Sequence, residues 1–374
     1  MIKLEKKFIF ALFLAISILI FGCTGKKDVK KSLEEIRTGS DGIVINFLPN
    51  APPEMIHVEE NQPNQFDIVL ELKNKGAYPQ PGEGASGLAP SFGKIFLSGF
   101  DPKIITFESK DKNPGDLSTA RLEGKSTINP NGGQDIMSFT GKIDFNNLNV
   151  EKYEPTLLAT ACYYYSTTAG PSVCIDPDPY STINTKKVCQ VQDTTLTNQG
   201  APIAVTGIGE EAFATKTQFR ITIKNVGAGD VLKADAANNK CDPYGTQKID
   251  REDINQVELI YAKISDIFLI CGPFASSPIK NTGGLIRLIN GEGSITCELQ
   301  NKDYSKTLSS YTTPLLIQLA YGYKVIAQRK LQVKKEGGGL GSGGSSSGSV
   351  PDISGVTRPS SEPSHVRPNE GAAP

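Results

Sequence analysis

The sequence predicts an all-β protein built as two antiparallel sandwiches in tandem. Three observations carry that prediction. Apolar and polar residues alternate with a period of two, Gly, Pro, Asn and Asp punctuate these runs at short intervals, and two stretches recur in the same order further along the chain. In QFDIVLELK, Phe66, Ile68, Leu70 and Leu72 share one face, with Asp67, Glu71 and Lys73 on the other. In QFRITIK, Phe219, Ile221 and Ile223 oppose Arg220, Thr222 and Lys224. Such alternation marks a strand with one face in a core and the other in water. No segment of comparable length carries helical spacing.

In chain order, the first element reads as an export and anchoring segment. Residues 1–7 carry three lysines and one glutamate, 8–21 form an apolar run of 14, and Gly22 and Gly25 follow. A charged start, a short apolar run and a small-residue exit describe a secretory signal peptide. The run is short for a bilayer span, which takes roughly 20 residues. Its end, Ile20-Phe21-Gly22-Cys23, resembles the lipobox of prokaryotic lipoproteins, although Phe21 is bulky where that family prefers a small residue. The resemblance implies that Cys23 is lipidated and becomes the first mature residue. A retained transmembrane helix and simple cleavage remain the alternatives. All three place residues 24 onward outside the cytosol, and lipid or helix would hold them at the membrane. Residues 24–42 read as a polar tether, with Ser32 and Glu35 at capping-box spacing and four lysines (Lys26, Lys27, Lys30, Lys31) able to meet anionic headgroups.

The sandwiches are assigned to 43–175 and 188–335, joined by a semi-extended linker at 176–187 where proline alternates with acid. They read as copies of one unit. Leu72-Lys-Asn-Lys-Gly-Ala77 matches Ile223-Lys-Asn-Val-Gly-Ala228, and LLATACYYY (157–165) aligns without a gap on LLIQLAYGY (315–323). The two offsets are 151 and 158 residues, so order and spacing are kept. Strand spacing of this kind fits immunoglobulin-like sandwiches. The I-K-N-V-G turn resembles CARDB-like modules of microbial cell surfaces. The whole arrangement resembles exported archaeal proteins, which implies no established activity.

Seven cysteines are present; setting Cys23 aside leaves Cys162, Cys174, Cys189, Cys241, Cys271 and Cys297. An even number outside the cytosol predicts three disulfides. By face, Cys162 and Cys174 both point out of the sandwich and would pair within one hairpin turning at 167–171. Cys271 and Cys297 point inward, where the first copy has Phe107 and Phe139, and would form a core bridge. Cys189 and Cys241 would then pair by elimination. No CxxC spacing supports a zinc site.

Function classes narrow by exclusion. Lys plus Arg (39) balances Asp plus Glu (40), so no basic excess points to nucleic acid. His57 and His365 are the only histidines, and the second lies in the 336–374 tail, leaving one imidazole for any catalytic triad. No catalytic residue, cofactor or metal is therefore expected; a hydrolase would need acids converging on His57. Asp250, Glu252 and Asp253 are a calcium candidate set against a solvated acidic turn, and Asp176 and Asp178 stand likewise. Tyr163, Tyr164, Tyr165, Tyr321 and Tyr323 are weighed as a sugar-stacking platform against core packing, and packing is preferred. The long 76–94 loop is a binding candidate. GGGLGSGG at 337–344 lacks the flanking strand and Lys-Ser/Thr of a phosphate loop, and opens a disordered Gly/Ser/Pro-rich tail. The reading is an extracytoplasmic, membrane-anchored surface protein that works by binding and display. The alternative is an accessory lipoprotein subunit of an envelope, pilus or export complex. Another envelope or surface protein is the expected partner.

Overall fold

The alternating runs become strands whose apolar faces are closed off from water. Phe66, Ile68, Leu70 and Leu72 are buried, as are Phe219, Ile221 and Ile223. The computed structural model describes residues 36–59, 64–79, 93–114, 122–145, 151–181, 187–275, 280–300 and 309–336. The first half carries β1 (Ile43–Phe47), β2 (Met55–Val58), β3 (Asn64–Asn74), β4 (Gly93–Ser98), β5 (Ile105–Phe107), β6 (Asp111–Lys112), β7 (Gln134–Ile143), β8 (Lys152–Tyr153), β9 (Thr156–Ala169) and β10 (Ser172–Ile175). The second carries β11 (Thr194–Thr195), β12 (Ile203–Ala212), β13 (Lys216–Asn225), β14 (Asp230–Leu232), helix α1 (Ala234–Asn239), β15 (Gln256–Ile264), β16 (Ile267–Phe268), β17 (Ile270–Gly272), β18 (Gly284–Arg287), β19 (Glu292–Gln300), β20 (Tyr311–Lys330) and β21 (Gln332–Lys335).

The protein is all-β, and each half has its own outer sheet, ordered β1-β3-β7-β5 in the first and β11-β12-β13-β19-β17 in the second. The opposing layer is shared. One nine-stranded sheet runs β16-β15-β20-β9-β4-β6, with β10, β14 and β18 also attached, so it passes from one half into the other through the β9–β20 pair. Side chains from all three sheets merge into one buried apolar cluster. The described residues through Glu336 accordingly form one compact unit.

The seam is a long antiparallel ribbon. β9 lies along Ile317–Lys330, and β10 continues in the same register along Tyr311–Pro314. Twenty residues at about 3.4 Å each give a ribbon about 65 Å long. Gly170-Pro171 therefore does not reverse the chain, as the hairpin reading required: Pro171 carbonyl accepts from Leu315 amide at 2.8 Å and the strand runs on. A second exchange ties the far end. β21, from the second half, lies parallel to β2 and antiparallel to β8 of the first.

This topology decides the disulfides. Cys271 and Cys297 are cross-strand partners on β17 and β19, both fully buried, as the face argument expected. Their counterparts are only half matched: Phe139 is a core residue, but Phe107 packs on Phe66 and Phe100 instead. The other two pairings differ from expectation. Cys162 bonds Cys241, and Cys174 bonds Cys189. Cys162 does sit on the face of β9 opposite the main core, but that face is not open to water. It forms a second small core with Phe96, Leu232, Ala237 and Cys241, roofed by α1 from the other half. Cys174 travels with β10 to the second half and meets Cys189 there. Both bridges thus tie segments from the two sides of the linker.

Candidate functional site

The tyrosines form the centre of the molecule rather than a surface. Tyr163, Tyr165, Tyr321 and Tyr323 are all buried, with ring centroids 5.8–6.4 Å apart around the four. In the ribbon Tyr163 pairs with Tyr323, Tyr165 with Tyr321, and Tyr164 with Gly322. Since 163 aligns with 321 and 165 with 323, this crosswise pairing is what a local two-fold axis through Tyr164 and Gly322 produces. The two edge-to-face pairs, Tyr163–Tyr165 and Tyr321–Tyr323, add about 0.5–1.5 kcal/mol each beyond area burial.

Each hydroxyl finds a backbone or amide partner. Tyr163 hydroxyl accepts from Ile43 amide at 3.1 Å, and Tyr321 hydroxyl accepts from Ile203 amide at 3.4 Å and meets Thr167 Oγ1 at 2.9 Å. Tyr165 hydroxyl donates to Asn74 Oδ1 at 3.0 Å, and Tyr323 hydroxyl to Asn225 Oδ1 at 3.1 Å. Asn74 and Asn225 are the asparagines of the two repeated turn motifs. Each also accepts from the amide two residues on, Gly76 or Gly227. The two separate sequence matches are therefore two ends of one hydrogen-bonded unit, present twice. Burial raises the pKa of all four phenols, that of Tyr323 to about 12, so they stay protonated and donate at ordinary pH.

Three of the five acidic candidates, Asp176, Asp250 and Asp253, are already paired with lysines. Lys240 Nζ lies 2.8 Å from Asp253 and 3.2 Å from Asp250, and Lys187 Nζ bonds Asp176 and the carbonyl of Asp178. An ammonium in the turn supplies the charge a calcium ion would bring. Among the described residues no group of three or more His, Cys, Asp or Glu is arranged to hold a metal. His57 is half exposed, with Glu336 3.6 Å away, and among the described residues no further acid pairs with it. Most of the 76–94 loop (80–92), the 337–374 tail and Cys23 lie outside the described residues. Its described start, Tyr78, packs edge-on against Tyr164 and Tyr165. Among the described residues no helix is long and apolar enough to cross a membrane.

Two features escaped the sequence reading. The first is Glu210 on β12, buried with Oε2 accepting from Cys174 amide at 3.2 Å and Oε1 without a partner. Burial first, and the nearby Asp193 second, push its carboxyl up to about 7, against the pull of the Cys174 amide. The folded protein then holds a proton that the unfolded chain releases near 4.5. Its contribution to stability is full below about pH 4.5, falls as pH rises, and is gone above about 7. Glu210→Gln should flatten that slope by about 2 kcal/mol between pH 5 and 8, read as the difference in urea midpoints; parallel profiles for both proteins would refute it. The second is a cleft of about 820 Å³ where β20 crosses into β21, lined by Glu54, Thr156, Gln328, Arg329 and Leu331 among others. Neither announces itself in sequence: one is a glutamate breaking a strand pattern, the other is framed by β2 and β21, whose first residues, Met55 and Gln332, are 277 positions apart.

No protein-family model matches the chain, and no curated protein matches it. Among solved structures, the collagen-binding domain of the Erysipelothrix rhusiopathiae surface protein RspB overlays with a TM-score of 0.11 and 7% identity, over 79% of this chain and 97% of that one. So slight a likeness carries no argument about this chain. The three disulfides do, because such bonds form and persist in oxidising compartments outside the cytosol.

Proposed function

We propose that this protein is an extracytoplasmic surface protein, held at the membrane through its N-terminus with Cys23 as the lipidation site, and that it acts by binding and display without catalysis. One observation carries the reading: the described body is a single stiff unit, its halves joined by a shared sheet and by two disulfides that cross between them. A spacer that presents a ligand surface away from a membrane needs such a body, whereas an enzyme needs convergent reactive groups. The expected partner is another envelope or surface protein, and neither nucleic acid nor a cofactor enters the reading.

A second reading, an accessory subunit of an envelope, pilus or export complex, draws on one feature. Phe268 is half exposed, stacks edge-on against Tyr261 at 6.0 Å beside Lys263, and is followed by exposed Ile270 at the corner where β16 and β17 meet. Chemical cross-linking on intact cells, followed by mass spectrometry, tests both. Adducts to neighbouring surface components support display. One discrete envelope complex supports the subunit role, and no extracytoplasmic adduct at all would remove both. An intact mass of the membrane-extracted protein beginning at Met1 would remove lipidation.

A further inference from the structure

We infer that the cleft at the foot of the ribbon binds a carboxylate-bearing saccharide, with Arg329 receiving the carboxylate. This deepens the binding reading above by naming a ligand class, and it rests on that reading. The cleft forms where two antiparallel segments leave the shared sheet together: β9 begins at Thr156 after Glu154-Pro155, and β20 passes through Leu331 into β21. Glu54, just ahead of β2, closes the third side.

Arg329 is the anomaly in this cleft. Its Nε is enclosed and has no hydrogen-bond partner, and the guanidinium makes no ion pair among the described residues. That enclosed Nε is closed to a ligand, so recognition falls to the terminal guanidinium nitrogens, which make no hydrogen bond or ion pair among the described residues. The neighbouring charges do not compete for it. Glu154 is engaged by Lys152 at 2.9 Å and by Gln332 Nε2, and those partners hold its carboxyl below the usual range. A guanidinium presents a planar fork of donors that matches the two oxygens of a carboxylate.

The remaining walls select the rest of the ligand. Glu54, which makes no ion pair among the described residues, sits on the same cleft and would repel a doubly charged group such as a phosphate monoester more than a carboxylate, which brings one charge per sugar ring. As an acceptor it suits hydroxyl donors, and Thr156 and Gln328 offer further hydroxyl and amide groups. Backbone groups are taken: Leu331 amide donates to Pro155 carbonyl at 3.0 Å, and Gln332 amide to Glu54 carbonyl at 2.8 Å. Those two amides are committed, while the acceptor of Glu54 and the polar groups of Thr156 and Gln328 match hydroxyl donors, which the side chains of an acidic peptide lack; this favours a hydroxyl-rich ring over an acidic peptide. The volume lies within the roughly 300–1,000 Å³ of ligand clefts.

The test titrates the full-length, detergent-extracted chain with trigalacturonic acid, its neutral methyl ester and triglutamate. The acid sugar should bind at least about tenfold more tightly than either control. Arg329→Gln should weaken it about 10- to 100-fold, the loss expected for a charge-assisted pair. Arg329→Lys, a point charge without the fork, should fall between, and Glu54→Gln should retain binding. Circular dichroism and the thermal midpoint should stay unchanged or rise in Arg329→Gln, since an unmatched donor has gone; Arg329→Met serves as a second variant if Gln fails to fold. Equal binding by wild type and Arg329→Gln, no binding of the acid sugar, or triglutamate binding as tightly would each overturn the assignment. Capture of a surface partner on cells by a chain that ignores trigalacturonate would overturn the cleft's ligand and leave the display reading standing.

Discussion

Cutting the chain within 182–186 at an inserted protease site, then reducing it under native conditions, is expected to leave both pieces in one particle. Before reduction the result is guaranteed by covalency, because Cys174–Cys189 spans the cut and Cys162–Cys241 crosses it as well. After reduction only packing remains. Separation would pull β9 and β10 off β20 along the whole ribbon and extract β21 from between β2 and β8. It would also open the four-tyrosine centre, where each ring stabilises by about 2 kcal/mol through burial and each hydroxyl would lose its partner or exchange it for water. Size-exclusion chromatography should therefore show one peak with and without reductant, while denaturing gels show two fragments. Two peaks after reduction would mean that the halves fold as independent beads, and the shared sheet would have to be abandoned.

That experiment bears on the step at which sequence reasoning stopped. Strand faces were legible because burial follows the period of two: Phe66 to Leu72 and Phe219 to Ile223 needed no tertiary knowledge. The two short matches were legible, and in each half they meet in a Tyr–Asn hydrogen bond. Cys271 and Cys297 were paired correctly because both partners lie in one sheet and face one core. The other four cysteines were not, since their positions depend on which half a strand joins. Nothing local distinguishes a Gly-Pro that turns the chain from the Gly170-Pro171 that lets it run on, and α1, which covers Cys162, is too short to show helical periodicity. The acidic turn near Asp250 was read without Lys240, ten residues earlier, which the fold brings onto it. Nothing in the sequence around Arg329 singles it out from other charged residues at strand ends. Its unmatched donor is a property of the cleft, not of the motif.

Replacing Asn74 by alanine should destabilise the protein by roughly 3–5 kcal/mol, and Asn225 by only about 1–2, although both occupy the same place in the repeated turn. Asn74 is fully buried and makes four bonds: it accepts from Tyr165 hydroxyl and Gly76 amide, and donates to the carbonyls of Tyr78 and Leu122 at 2.7 and 2.9 Å. An alanine there strands four polar groups, most of them beyond the reach of water. Asn225 is partly exposed and donates to Gly229 carbonyl while accepting from Tyr323 hydroxyl and Gly227 amide, so solvent can replace what it loses. Tyr165→Phe removes one of these four bonds, and in combination with Asn74→Ala should cost less than the sum of the two, by about 1 kcal/mol or more. Urea midpoints with unchanged slopes would report these differences. Equal losses at the two asparagines, or an additive double variant, would show that the turn motif is held by its backbone alone, and that the tyrosines and asparagines recur in both halves without depending on one another.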